Sequence, residues 1–220
     1  MKRWYMFTCA LVVALFLAVP GGVAAQLVLG VGGGLSAATW TGSDADEPGV
    51  DKSTRKGLRV GGFLAVPVSG RFSIVPAAFY VQKGNVYSEG GTDLTAKVDY
   101  FEIPVLASVS LTGPDSPVGF SVNAGPAFAF EAGCDIEGSD SGTSASVDCD
   151  TAGLDERQSF DIGLLAAATA AFPVGESLSI LVSGGANFGL RTLDTSDPDP
   201  ADIKNMAYFL SAFVAFPLGG

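Results

Sequence analysis

Five charged residues interrupt otherwise apolar or small-residue stretches of the chain: Arg59, Glu102, Glu131, Asp161 and Arg191. Two carboxylates of this kind could divide the work of a general acid and a general base, and Glu102 with Asp161 is the candidate pair. Opposite charges brought together in a confined interior more simply fill it as ion pairs, and that is the expectation here. The chain contains no histidine. A histidine general base or a histidine-containing triad is therefore excluded, and no enzyme is expected. The glycine runs "LGVGGGLSA" and "VSGGANFG" lack the strand–loop–helix setting and the lysine of a phosphate loop, so no cofactor is expected either. Acidic stretches ("SDADEPGVD", "CDIEGSDSG", "VDCD", "DTSDPDPAD") supply oxygen ligands without the spacing of a defined calcium loop. They read first as solvated loops, with divalent cations at these carboxylates the alternative.

The elements that position these residues follow a period of two. In "SFDIGLLAAATAAFPVGESLSILVSGGANFGLR" (159–191), Phe160, Ile162 and Leu164 alternate with Asp161, Gly163 and Leu165, and the alternation resumes after a "PVGES" turn. About fifteen apolar residues between Asp161 and Glu176 are too few for a spanning helix of about twenty, and Pro173 and Gly175 would stop one. The segment reads as a β-hairpin. The same test gives eight strands, near 27–40, 57–68, 71–83, 96–111, 117–131, 158–173, 177–191 and 205–217. Their connections alternate between short ("SGR", "TGPDSP", "VGES") and long and polar. The fold class expected is all-β: an eight-stranded antiparallel transmembrane β-barrel with short periplasmic turns and long extracellular loops.

A charge in hydrocarbon is expensive, so the polar set of each strand is expected to face the lumen and the apolar set the lipid. Arg59, Glu102, Glu131, Asp161 and Arg191 then all point inward. Strand 71–83 is apolar on both faces, which leaves its orientation open, and Pro76 within it suggests a bulge. Trp40, Tyr80, Tyr87, Tyr100 and Tyr208 lie near strand ends, where interfacial girdles belong. A soluble lipocalin-like barrel, with the faces reversed, is the structural alternative.

The first residues, "MKRWYMFTCALVVALFLAVPGGVAAQ", have a basic start, an apolar run and small residues before Gln26. Residues 1–25 are expected to be a cleaved secretory signal peptide and 26–220 the barrel domain. Export makes a Cys134–Cys149 disulfide the default, with two free thiols the alternative. The formal net charge of −11 argues against nucleic acid as a partner.

Two segments carry a resemblance. "FYVQKGNVY" supplies Tyr80, Lys83 and Gly84, and "YFEIPVLASVS" supplies Tyr100, Glu102, Ile103 and Pro104. In these motifs the chain resembles the PorT-like outer-membrane β-barrel family of Gram-negative bacteria, and "NAGPAFAF", "FDIGLLAAATAAF", "NFGLRTL" and "KNMAYFLSAFVAF" look like its later strands. The resemblance implies a small barrel in the outer membrane of a Gram-negative bacterium, and a founding type linked to secretion of other proteins. Two functional expectations follow. One is a non-catalytic barrel, structural or partner-binding through acidic surface loops, in contact with outer-membrane lipid and lipopolysaccharide and with a protein partner not specified. The other is a narrow channel or transport/secretion-accessory barrel lined by the inward charges.

Overall fold

The computed structural model describes residues 26–218 apart from 47–48, 114–115, 141–142, 154–156, 176 and 197–199. The expected leader, 1–25, lies outside the described residues. Nine strands follow one another: β1 (Leu27–Thr41), β2 (Asp51–Ser69), β3 (Phe72–Glu89), β4 (Thr92–Ser110), β5 (Gly119–Asp140), β6 (Thr143–Asp148), β7 (Phe160–Val174), β8 (Leu178–Gly189) and β9 (Lys204–Leu218). Every pairing is antiparallel. The sheet runs β4-β3-β2-β1-β9-β8-β7-β5, and β4 pairs back onto β5, so eight strands close a ring. The short β6 pairs with β5 alone and makes a hairpin above the ring.

Alternation dictates two faces, and burial shows which one faces lipid. Val31, Leu35, Val60, Phe101, Ile103, Phe120, Leu164, Val182, Leu210 and Val214 point outward, with Leu35 66% and Leu210 61% exposed. Together with Phe72 and Ile74 of β3, these residues cover every strand of the ring. A continuous apolar belt of this kind is foreign to a soluble protein, which rules out the lipocalin-like arrangement. On β3, Ala77, Phe79, Val81, Lys83 and Asn85 face inward, which settles the orientation of that strand.

The interior departs from expectation in its lower half, toward the short turns at 70–71, 111–118 and 175–177. It holds Phe63, Phe79, Leu165, Leu181, Phe209 and Phe213, with Phe63 and Phe213 edge to face at 5.4 Å, beside a polar strip in which Asn123 donates to Thr169 at 3.1 Å and Thr169 to Ser183 at 3.0 Å. No charge enters here, and the aromatic and aliphatic side chains narrow the lumen to a small cavity. Pro76 makes no bulge: the β3–β4 register is unbroken through Pro76↔Val105. The irregularities lie instead between Thr54 and Arg59 and between Pro67 and Ser69 on β2, and at Asp99/Tyr100 between β4 and β5. At the latter, Tyr100 pairs with Glu131 and Asp99 with Gly133, so Ala132 is the extra residue and the inward parity switches from Glu131 to Cys134.

Strand ends are longer than the sequence suggested at the other rim. The connection read as the loop "GNVYSEGGTDLT" is β-ladder apart from a Gly90–Gly91 turn, where both residues have positive φ as a tight hairpin requires. Residues 51–56 belong to β2, and the long loop after Glu131 is largely the β5–β6 hairpin. A tilted strand crosses the membrane in about 9–11 residues. The rest of these strands of up to 22 residues therefore stands clear of the lipid as a raised wall.

Ring closure rests on the β1–β9 seam, fifteen residue pairs from Leu27↔Leu218 to Thr41↔Lys204. A Cβ at Gly34 would come within 2.0 Å of the Leu210 carbonyl oxygen and 2.5 Å of the Ser211 Cα. We therefore expect Gly34→Val to abolish the heat-modifiable band of the refolded barrel on gels. Gly138→Ala, where a Cβ meets nothing within 4 Å, should leave that band intact.

Candidate functional site

The inward face of β2, β3, β4, β7, β8 and β9 converges on a buried polar layer at mid-lumen. Its centre is Glu102 on β4, whose side chain is fully buried. One carboxylate oxygen, Oε1, accepts from Arg59 Nη1 at 3.0 Å. The other, Oε2, meets Lys83 Nζ at 2.8 Å and accepts from Asn187 Nδ2 at 2.7 Å. The Arg59 guanidinium also lies 3.7 Å from the Phe79 ring centroid and 4.5 Å from that of Phe209, a cation–π sandwich suited to a desolvated cation. Lys83 Nζ sits 5.3 Å from the Tyr100 ring centroid.

Asp161 completes the layer. Its Oδ2 accepts from Asn205 Nδ2 at 2.9 Å, and the same amide reaches Tyr100 Oη at 3.3 Å. Asp161 also lies within the field of Lys83. With Asp161 ionised, Arg59 and Lys83 face Glu102 and Asp161, and the layer is neutral in sum. Burying a charge costs several kcal/mol unless it is paired, so this balance is a condition for the fold. The Oδ1 of Asp161 and the Nε of Arg59 are buried without a hydrogen-bond partner among the described residues.

Of the five charges expected to line the lumen, Arg59, Glu102 and Asp161 meet in this layer. Glu131 is inward but lies higher, where Arg157 holds both its oxygens at 2.8 and 3.1 Å and reaches Asp150 at 2.6 Å. Arg191 does not join. It lies beyond the end of β8 at Gly189 and is exposed, because the alternation stops with the strand. Lys83, Asn187 and Asn205 complete the layer and were not read as site residues from pattern. Lys83 entered only through the family motif, since a strand apolar on both faces gives parity no sign.

The motif residues now have physical roles. Tyr80 faces outward, and its hydroxyl donates to Asp99 Oδ2 at 2.5 Å. Asp99 also accepts from Arg55 Nη1 at 3.0 Å, and that nitrogen donates to the Lys83 carbonyl as well. Gly84 has a φ of +132°, and a Cβ there would lie 1.9 Å from the Ala96 carbonyl oxygen, so glycine is required beside Lys83. Ile103 meets lipid, 43% exposed, while Pro104 is fully buried inside.

The layer separates two cavities that share no lining residue. The lower, about 150 Å³, is bounded above by Arg59 and walled mostly by Phe63, Phe79, Leu165, Phe209 and Phe213. The upper, about 380 Å³, opens toward the long connections and is lined by Trp40, Tyr87, Val98, Tyr100, Ile136 and Ile203 together with Glu131, Arg157 and Asp194. Three of the five residues assigned to aromatic girdles, Trp40, Tyr87 and Tyr100, therefore line the lumen. Tyr80 and Tyr208 face outward as expected. The Cys134–Cys149 disulfide (Cα–Cα 5.5 Å) pins the tip hairpin against this upper wall, packing with Val98, Tyr100, Trp40 and Ile136.

Among the described residues, no group of three or more His, Cys, Asp or Glu side chains is arranged to hold a metal ion. Parts of three acidic stretches, at 47–48, 141–142 and 197–199, lie outside the described residues. Elsewhere the carboxylates serve the loops: Asp46 pairs with Lys52, Asp202 with Lys204 at 2.5 Å, and Asp44 accepts from the Asp202 amide at 2.8 Å. Asp194 accepts from the Ser196 amide (2.9 Å), Ser196 Oγ (2.7 Å) and the Ala201 amide (2.7 Å), which hold its carboxyl below the usual aspartate range.

Two outcomes are expected. Glu102→Ala strands Arg59 and Lys83 without their anion and should cost about 3–5 kcal/mol in urea unfolding from lipid vesicles. Lys83→Met with Glu102→Gln should recover part of that loss. For Asp194, a depressed pKa means a contribution to loop order present above the ordinary aspartate value of about 3.9 and lost as pH falls through the depressed one. Protease cleavage within 190–203 should therefore rise in acid below about pH 3.9, while Asp194→Asn should cleave readily across the range.

Comparison with known proteins agrees with this architecture. No curated protein sequence matches the chain. Among solved structures, OprG of Pseudomonas aeruginosa is similar at 11% identity and a TM-score of 0.51, covering 91% of this chain and 99% of its own. Neisserial surface protein A is similar at 14% identity and a TM-score of 0.50, covering 86% and 97%. At such identities the likeness speaks for the fold alone. Residues 24–195 match the family described as "Outer membrane protein beta-barrel domain". The closed ring, its apolar belt and this match together place the chain in the outer membrane β-barrel domain family.

Proposed function

We propose that this chain is a non-catalytic, non-conducting barrel of the PorT-like type, which binds a partner through its long-connection end. The observation that carries this reading is the neutral layer around Glu102. It fills the lumen between two separate cavities, so the barrel is a stopper rather than a pipe. An eight-stranded ring has little interior beyond what side chains fill. Absence of catalysis is supported by the missing histidine and by Glu102 itself, whose two oxygens are taken up by Arg59, Lys83 and Asn187. A carboxylate so paired and fully buried is removed from any substrate in solution.

In this reading residues 1–25 direct export in a Gram-negative cell and are removed. The exposed end, with the raised β2–β5 wall and acidic connections, meets lipopolysaccharide headgroups and a protein partner. Divalent cations bridge its carboxylates to lipid phosphates.

A second reading, a narrow channel or secretion-accessory barrel, is favoured by the cavities on both sides of the layer and by the unpartnered Asp161 Oδ1 and Arg59 Nε. Conductance of residues 26–220 in a planar bilayer separates the two. We expect silence from a correctly inserted barrel. Reproducible steps that change amplitude in Asp161→Asn, with the barrel still folded, would establish the channel instead.

A further inference from the structure

The upper cavity has a chemistry of its own. Its volume of about 380 Å³ falls within the range of small-molecule sites, and apolar side chains form most of its wall. Three aromatic rings contribute. Trp40 on β1 and Tyr87 on β3 stand with centroids 6.1 Å apart and planes tilted by 59°, while Tyr100 on β4 is shared with the polar layer. Rings that present their faces around a space offer a desolvated cation the negative side of several quadrupoles at once.

The charges lining that space sum to one negative. Glu131, Asp194 and Arg157 line it, and Arg157 is engaged by Glu131 and Asp150. Asp194 is held by neutral donors from Ser196 and Ala201. At the same end stand Asp44, Asp93, Asp135 and Asp148, none of them in an ion pair among the described residues. Their field draws cations toward the mouth and repels anions.

We infer that the upper cavity binds an organic cation with an apolar body, an alkyl- or arylammonium, with the ammonium beside Trp40 and Tyr87 and balanced by Asp194. A neutral apolar molecule would leave the field unused, and an anion would oppose Glu131 and Asp194 both. The floor of the site is Tyr100, and one wall is fixed by the Cys134–Cys149 bridge, so the pocket exists before a ligand arrives. This inference rests on the proposed function only in treating that floor as closed. A conducting barrel that still binds the cation would overturn the closed reading alone. A silent barrel that fails to bind would overturn the cation site alone.

Trp40 is the one tryptophan in residues 26–220, which makes the site its own reporter. The refolded 26–220 barrel is titrated with benzyltrimethylammonium, a permanently charged and water-soluble probe, and separately with neutral benzyl alcohol. Saturable change in Trp40 fluorescence is expected with the cation, weakening at higher salt, and no saturation with the alcohol over the same range. Tyr87→Phe, which keeps the ring, should bind as the parent does. Tyr87→Leu should weaken binding about tenfold, as loss of one aromatic face in a desolvated site implies. Asp194→Asn lies outside the barrel wall and should weaken binding severalfold. Because it also loosens residues 190–203, the charge is tested separately by the salt dependence of the parent, where salt-independent binding would overturn the assignment even if Tyr87→Leu fails to show a heat-modifiable band. A linear, non-saturating response to the cation, an equal response to benzyl alcohol, or undiminished binding in both Tyr87→Leu and Asp194→Asn would overturn the assignment.

Discussion

Hydrocarbon offers no hydrogen bonds, so a strand inside a bilayer must find a partner for every amide and carbonyl along both of its edges. For this chain that requirement is met when β1 lies against β9, fifteen pairs long. Much else in the structure follows from the seam. A sheet of eight strands bent into so narrow a ring brings neighbouring backbones close on the inside of the curve. At Gly32 and Gly34 of β1 even a methyl group would strike the β9 backbone. The glycine run near the N-terminus, which invites a ligand-binding interpretation, is a consequence of curvature.

Narrowness then governs the interior. A ring of this size leaves room for side chains and little else, so whatever charge enters it has to be answered within a few ångströms. The lower half avoids the problem with aromatic and aliphatic packing. The middle holds two cations and two anions. Glu102 stands where β2, β3 and β8 can all reach it, and it answers Arg59 and Lys83 together. The upper half widens where the parity of β5 switches at Ala132, and the bridged hairpin there supplies a wall that the membrane does not.

The barrel and its two faces were legible because lipid and lumen impose opposite demands at alternate positions. Arg59, Glu102 and Asp161 could be placed inside from alternation alone. Legibility failed where one of those demands was missing. Beyond the lipid the ladder has water outside it, so residues 84–89 and 92–95 look like a loop although they are strand. Where β3 crosses the lower lumen both of its own faces are apolar, so it gave no orientation and Lys83 had no face until its neighbours Val81 and Asn85 were seen to be buried. Arg191 was carried inward by extending a period past the last paired residue of β8. The aromatics failed differently. Trp40, Tyr87 and Tyr100 have the type and height of girdle residues, yet the face decides, and it turns them inward; alternation specified that face for Trp40 and Tyr100 but not for Tyr87, in the segment read as a loop.

The distribution of charge along the chain bears on how such a ring comes together. Arg59, Lys83 and Glu102 lie on β2, β3 and β4, which follow one another in sequence, so Glu102 meets both cations without the rest of the protein. That first half nevertheless retains one surplus positive charge in the layer. The later strands bring Asn187 and Asn205, which are neutral, and on β7 a single negative charge, Asp161. Each half alone would present a lone charge to the lipid, and joined they present none. Insertion of either half by itself is thus opposed by the same electrostatics that favours the complete ring, so membrane entry and closure become one cooperative event.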